Sequence, residues 1–305
     1  MSKIIAKCWA KVFGKDRGER IFVLTAVILP LMQFFLFYVC VNFNQIIMSF
    51  QKYEGTSDVA EWAWLDNYIR FLKNMVNDPA MEYCLKNSFI FFGTSVISLL
   101  VGMIIAYMWW KEPPFHDFFK FIALLPSLIS ITVFIMLYRF TITDMLPELF
   151  DNPKLGELLL EPQSLWTVLI VGVLLGAGPQ WVMLLGAINN IPKPLVEYSK
   201  MEGVNPWDEI RYLVFPFIYP TLVSYFIVSL AGLFSNYGQL VSFYNVGADP
   251  SIRTIGYHFF AIVFNSTTLQ QYPYAAASGC FFSVITFVLV MTGRKILEKI
   301  GPSEE

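Results

Sequence analysis

The sequence predicts an all-α polytopic membrane protein with six transmembrane helices, on three observations. Only 14% of the 305 residues are charged, against 56% hydrophobic and 17% aromatic, with a mean hydropathy of +0.56; soluble domains carry about 25% charged residues. Asp, Glu, Lys and Arg are absent from six stretches, 21–51, 87–110, 121–138, 162–192, 212–248 and 254–293. Crossing a bilayer core of about 30 Å takes about 20 helical residues, so each stretch holds one span. Finally, the basic residues between the stretches are divided unequally, as the loops of an oriented membrane protein are.

Trimmed by polarity, the spans fall near 21–43, 88–110, 120–138, 165–189, 217–240 and 274–293. The first follows a basic N-terminal arm. Its apolar run continues past signal-peptide length with no A-x-A site after it, so it reads as a retained span. The segment 253–264 (RTIGYHFFAIVF) is apolar but short, and the polar run Asn265–Gln271 follows; it reads as an interfacial or re-entrant piece. Loops 1–20, 111–120, 190–216 and 294–305 carry 14 Lys and Arg, whereas 44–87, 139–164 and 241–273 carry 7. This places both termini in the cytoplasm. The largest outer loop, 44–87, has room for a cap of short helices. With no internal repeat or low-complexity linker, the chain reads as a single transmembrane domain over 1–305.

Several function classes are disfavoured. Net charge is −2, which gives no footprint for nucleic acid. Cys8, Cys40, Cys84 and Cys280 are scattered, with no CxxC or Cys/His cluster, so neither a disulfide framework nor a metal site is expected. The trimmed spans contain no Asp, Glu, Arg or His, the groups by which ion-coupled transporters work; His116 and His258 read as interfacial polar residues. No G-x-x-x-x-G-K-[ST] loop is present to hold nucleotide phosphates. Nor is there a nucleophile with a base, or a pair of carboxylates, to support an enzyme. Any energy for uphill movement comes from another chain.

Residues 190–220, NIPKPLVEYSKMEGVNPWDEIRYLVFPFIYP, have the grammar of a helical hairpin. Pro194 opens a helix with Leu195, Tyr198, Met201 and Val204 along one stripe. Gly203 suits the left-handed position that ends it. Asn205 offers an N-cap, Pro206 the first helical residue, and Asp208 and Glu209 stand in the favourable first turn. Pro216 and Pro220 mark the start of the fifth span. The stripe either packs on its own bundle or docks a cytoplasmic partner in a groove.

This stretch resembles the EAA loop of binding-protein-dependent ABC importers: E-A-A, three residues, G, nine residues, I-x-L-P. Glu197, Tyr198 and Ser199 fill E-A-A, Gly203 falls at the required place, and Leu213-Val-Phe-Pro216 fills I-x-L-P. Both alanines and the Ile and Leu are replaced. Glu202, Trp207 and Pro220 fit the carbohydrate branch. NSFIFFGTSV, ALLPSLIS, YNVGADP and YPYAAAS extend the likeness over nearly the whole chain, which is most similar to the maltose-permease-like subunits of carbohydrate uptake systems.

The resemblance implies the MetI-like architecture of a type I importer permease, in which the hairpin is a cytoplasmic coupling helix seated in an ATPase cleft. Glu197, Tyr198, Ser199, Met201, Gly203, Trp207 and Pro216 are then the coupling residues. It implies a second homologous permease, two ATPase subunits holding ATP and magnesium, and an extracytoplasmic solute-binding protein; no cofactor is expected in this chain. It also implies a sugar path through the third to fifth spans, near Ser127 and Ile131, Leu175, Gly176 and Pro179, and Ser229, Leu233 and Asn236. Tyr237, Gln239, Gln180 and Trp181 are neighbours of suitable chemistry. Ser and Asn in spans also serve interhelical hydrogen bonds, and Gly172-x-x-x-Gly176 with Pro179 equally fits close packing and a kink. The expected cargo is an oligosaccharide, and the absence of intramembrane charge agrees with a neutral solute. The rival readings are an ATP-independent facilitator or secondary transporter, and a scaffold that recruits a cytoplasmic partner.

Overall fold

Residues 17–53, 60–159, 164–266 and 268–301 are described by a computed structural model. The basic residues before 17, and Cys8, lie outside the described residues. The chain folds as two compact units, residues up to 71 with 268–280 forming one and 72–267 with 281–305 the other. Five helices are long and apolar enough to cross a bilayer, and a bent pair makes a sixth.

In the smaller unit, α1 runs Phe22–Ser49, beyond the expected end at 43, with a π turn over Phe35–Cys40. Asn42, Asn44 and Gln45 do not stop it, because helical backbone satisfies its own hydrogen bonds wherever it leaves the lipid. Strands β1 (Gln51–Tyr53) and β2 (Ala60–Trp62) follow as an antiparallel pair, Lys52 opposite Glu61; a cap of helices alone was expected here. Asn67, at the start of α2 (Asp66–Asn77), donates to the Ser49 and Gln51 carbonyls at 2.9 and 2.7 Å and clips the strand to the helix end. Phe71 is fully buried against the edge of Tyr274, and Arg70 lies over the same ring.

The larger unit is a helical bundle. Its members are α3 (Pro79–Trp110), α4 (His116–Leu128), α5 (Ile131–Leu149), α6 (Ser164–Asn189), α7 (Lys193–Met201), α8 (Pro206–Ala231), α9 (Gly238–Tyr244), α10 (Ile255–Asn265) and the second part of α11 (Gln271–Ile300). Asp78 caps α3 by accepting from the Ala80 N–H, with Pro79 in the first turn. At 32 residues α3 is about 48 Å long and outruns the bilayer core.

Two expectations for the spans are corrected. The stretch 120–138 is not one helix: α4 and α5 meet at 101°. Pro126 deprives the last turn of α4 of an N–H, Ser127 Oγ takes the Leu124 carbonyl, and Ile129 is extended. The fifth span is also shifted. The second leg of the hairpin is the first part of α8 itself, and α8 ends at Ala231 rather than 240. Pro216 therefore lies inside the helix, preceded by a π turn over Ile210–Val214 that absorbs its missing donor. Asn236, Tyr237 and Gln239 fall in the turn and short helix beyond.

Two sets of contacts tie loops of this bundle together. At one end Lys111 pairs with Glu209, and Tyr219 Oη donates to the Leu297 carbonyl at 2.7 Å, which joins loops 111–120 and 190–216 and the end of α11. At the other, Asn87 Nδ2 donates to the Ser251 and Arg253 carbonyls at 2.7 and 3.0 Å. At 11 residues, about 16 Å, α10 is too short to cross. It buries Ile255, Tyr257, His258 and Ala261.

Candidate functional site

The hairpin forms as its sequence dictates. Pro192 and Pro194 start α7. At its end the Gly203 N–H donates to the Lys200 carbonyl and the Val204 N–H to the Ser199 carbonyl, the paired bonds of a Schellman cap, with Gly203 at φ +66°. Asn205 Oδ1 then accepts from the Trp207 and Asp208 N–H groups at 2.9 and 3.0 Å and opens α8.

Of the two readings of the apolar stripe, packing on its own bundle is not what the structure has. Met201 is 80% exposed, Trp207 67% and Tyr198 57%, with Leu195 and Val204 also exposed. Glu197 is exposed beside them, while Ser199 is half-buried. A hydrogen bond to the Glu202 carboxylate holds the Tyr198 phenol above its ordinary pKa. Pro216 stands apart from this surface, half-buried within α8.

Beneath the exposed tip the second leg is firmly seated. Ile210, Leu213, Val214 and Phe215 belong to an apolar cluster with Tyr107 and Trp109 of α3 and Leu184, Leu185 and Ile188 of α6. At its rim sits Glu209, at 4% exposure the one buried acid among the described residues. Its carboxylate accepts from Tyr107 Oη at 2.6 Å and from Lys111 Nζ at 2.8 Å, and the Lys111 ammonium lies 4.7 Å from the Trp110 ring centroid. The sequence marked Glu209 only as a first-turn acid. Its partners lie some hundred residues away, and no local spacing could show them.

Higher in the bundle is a cavity of about 280 Å³. Each wall follows from helical spacing. Residues four apart share a face, which brings Gly172, Gly176 and Gln180 of α6, Tyr225 and Ser229 of α8, and Phe91, Thr94, Ser95 and Ser98 of α3 to one space. Asn236 and Gln239, just past α8, close it; the Asn236 carbonyl is fixed by Thr254 Oγ1 at 2.6 Å. A neighbouring hollow of about 250 Å³ shares Phe91, Ser95, Ser229 and Asn236. No charged side chain lines either. Ser98 Oγ lies 3.4 Å from Gln180 Oε1, whereas Thr94 and Ser95 donate to carbonyls of their own helix and retain oxygen lone pairs able to accept.

The cavity thus gathers Gly176, Gln180, Ser229, Asn236 and Gln239. Ser127 and Tyr237 stay outside it: Ser127 is exposed at the end of α4, and Tyr237 stacks on Phe260 at 5.2 Å. Trp181 faces elsewhere, edge-on to Trp109 in an apolar hollow on the other side of α6. The hydroxyls of α3 were missed. Their signal was a polar face (Thr94, Ser95, Ser98) on a span read only as apolar. The glycines of α6 divide their work. Gly178 lets the α4 backbone approach at Ala123, a Cβ at Gly172 would meet the Gln239 amide at 2.5 Å, and one at Gly176 would meet nothing within 4 Å.

The family model for the binding-protein-dependent transport system inner membrane component matches residues 98–299, from the cavity wall of α3 through the hairpin to the end of α11. The chain belongs to this family. It is accordingly a multi-pass membrane protein and a permease component of such a transport system. Among relatives of this inner membrane component, the arabinooligosaccharides transport system permease protein AraP of Bacillus subtilis is 23% identical over 301 residues, covering 94% of this chain and 91% of that one. The lactose transport system permease protein LacF of Rhizobium radiobacter is 21% identical, covering 78% and 81%. The fold matches a chain in the crystal structure of a bacterial alginate ABC transporter in complex with alginate pentasaccharide-bound periplasmic protein. That match has a TM-score of 0.74 at 17% identity and covers 97% and 98% of the two chains.

Proposed function

We propose that this chain is one permease subunit of an ATP-driven importer that takes up a neutral oligosaccharide delivered by an extracytoplasmic solute-binding protein. In this reading it is a single permease domain in a bacterial inner membrane with both termini in the cytoplasm. It pairs with a second, homologous permease and two ATPase subunits, which hold ATP and magnesium and do the hydrolysis. The observation that carries the reading is the pairing of an uncharged, hydroxyl- and amide-lined cavity with an exposed apolar hairpin at one end of the same bundle.

Sugar hydroxyls both donate and accept, and the lining of Ser, Thr, Asn, Gln and Tyr side chains offers both roles. A charged cargo would leave a countercharge unmet in a medium where unpaired charge is costly. The volume sits at the small end of ligand sites, roughly 300–1,000 Å³, which suits a path completed by the second permease. Names borne by the relatives, an arabinooligosaccharide and a lactose permease, lean the same way. At the other end Tyr198, Met201 and Trp207 supply two aromatic rings and a methionine, residue types enriched at docking patches, with Glu197 and Ser199 beside them. Gly203 and Asn205 shape the tip, and Pro216 sets the helix behind it.

The test is reconstitution of the complex in proteoliposomes with its binding protein and a panel of neutral and acidic oligosaccharides. The reading expects a neutral oligosaccharide to stimulate ATP hydrolysis and accumulate inside. Downhill movement of solute through this chain alone would support a facilitator instead.

A further inference from the structure

We infer that Glu209, Lys111 and Tyr107 form a latch that ties the coupling hairpin to α3, so that displacement of the hairpin is delivered to the cavity wall. The inference rests on the ATPase-docking reading above and adds the element by which the hairpin acts on the path.

Three features carry it. The hairpin tip is exposed, yet the leg behind it is tied by a buried carboxylate that neither tip nor cavity uses. Both partners of that carboxylate lie at one end of α3, Tyr107 one turn before Lys111, and the same continuous helix carries Ser98, Ser95 and Thr94 into the cavity. From Tyr107 to Ser98 is about 14 Å along the helix, short enough for a rigid helix to move as one piece. Lastly, the latch is oriented. Lys111 is held between the Glu209 carboxylate and the faces of Tyr107 and Trp110, at 5.4 and 4.7 Å from their centroids. Two donors thus converge on one buried carboxylate at the rim of an apolar cluster, where its charge is less screened than in open water. Apolar contact alone permits sliding between helices, whereas a charge-assisted pair fixes one register. Glu209 is on this account a positioning residue, acting through Tyr107 and Lys111.

The test uses the assembled complex in proteoliposomes and measures solute accumulated per ATP hydrolysed, together with the ATPase subunits that co-purify. Glu209→Gln keeps the shape and removes the charge. It is expected to retain its ATPases and to lower solute per ATP about three- to tenfold, the size of effect found for residues along a coupling route. Tyr107→Phe leaves the ion pair intact and is expected to lower the ratio less, and the double variant to be no worse than Glu209→Gln, since the pair acts as a unit. A Glu209→Gln complex with unchanged solute per ATP overturns the latch, as does a parallel loss of ATPases and uptake at constant ratio. If Glu209→Gln fails to accumulate in the membrane, Tyr107→Phe decides, and an unchanged ratio there overturns the proposal. The docking reading fails separately: a Met201→Asp complex that keeps its ATPases and normal uptake contradicts it, whatever the latch variants do.

Discussion

At one end of the bundle Tyr198, Met201 and Trp207 stand exposed above the buried Glu209 carboxylate, which pairs with a partly exposed Lys111; in the cavity Thr94, Ser95, Ser98, Gln180 and Asn236 face a space with no charge at all. The first region has large apolar side chains outside and a carboxylate inside, an arrangement that is costly unless something covers the outside and the carboxylate is paired. The second has only small dipoles, which can bind and release a polar solute without holding it. Charge is thus placed where elements must keep one register, and is absent from the lining of the cavity, where the proposal has a neutral solute pass. α3 belongs to both regions: its end holds the latch, and its middle supplies a cavity wall.

This contrast can be broken at either region. The largest effect is expected from Gly203→Trp. Gly203 sits at φ +66°, where an ordinary residue costs about 1–2 kcal/mol, and the added bulk stands at the docking tip. ATP-dependent uptake should be abolished while the protein still inserts, as membrane fractionation beside a transport assay will show. Next is Lys111→Met, which strands the buried Glu209 carboxylate. Breaking a buried pair costs about 3–5 kcal/mol, and because Lys111 is partly exposed the low end, about 3 kcal/mol, is expected. Replacing both partners, Lys111→Met with Glu209→Leu, should restore most of that thermal stability.

At the cavity, Gly176→Phe adds a ring where a Cβ meets open space. It should cut uptake at least about tenfold, the equivalent of 1.4 kcal/mol, with the ATPases still bound. Asn236→Ala should have a smaller effect of a few-fold, about 1 kcal/mol for a lost hydrogen bond. The smallest effect is at Asp249, in the turn before α10. The Ser251 N–H and hydroxyl hold its carboxyl below the usual carboxylate range. A lowered pKa stabilises the fold above the ordinary Asp value of about 3.9 and stops doing so as pH falls through the lowered one. Asp249→Asn should therefore flatten the acid limb of Tm against pH, lowering Tm slightly at neutral pH and leaving it unchanged below the lowered pKa.

The two regions also differ in how far the sequence disclosed them. The hairpin is local: Pro194, Gly203, Asn205 and Pro206 act on backbone within a few residues, and the structure has each in the role its chemistry suggests. The cavity is non-local. Gly176, Gln180, Ser229, Asn236 and Gln239 could be named from the resemblance, but the contribution of α3 depends on how three helices face one another. The break between α4 and α5 was hidden because Pro126, Ser127 and Ile129 sit inside an uninterrupted apolar run, and hydropathy is blind to direction. Glu209 was hidden for the same reason as the cavity wall, since a buried ion pair leaves no trace until its partner is brought near.

The most direct measurement of this division of labour compares two variants in one preparation. Complexes carrying Met201→Asp or Gly176→Phe are purified side by side, and bound ATPase subunits, ATP hydrolysis and oligosaccharide uptake are measured on each. We predict that Met201→Asp loses its ATPases and all three signals together, while Gly176→Phe keeps its ATPases and hydrolysis and loses only uptake. Loss of ATPases by Gly176→Phe, or their retention with normal uptake by Met201→Asp, would contradict the assignment of docking to the hairpin and passage to the cavity.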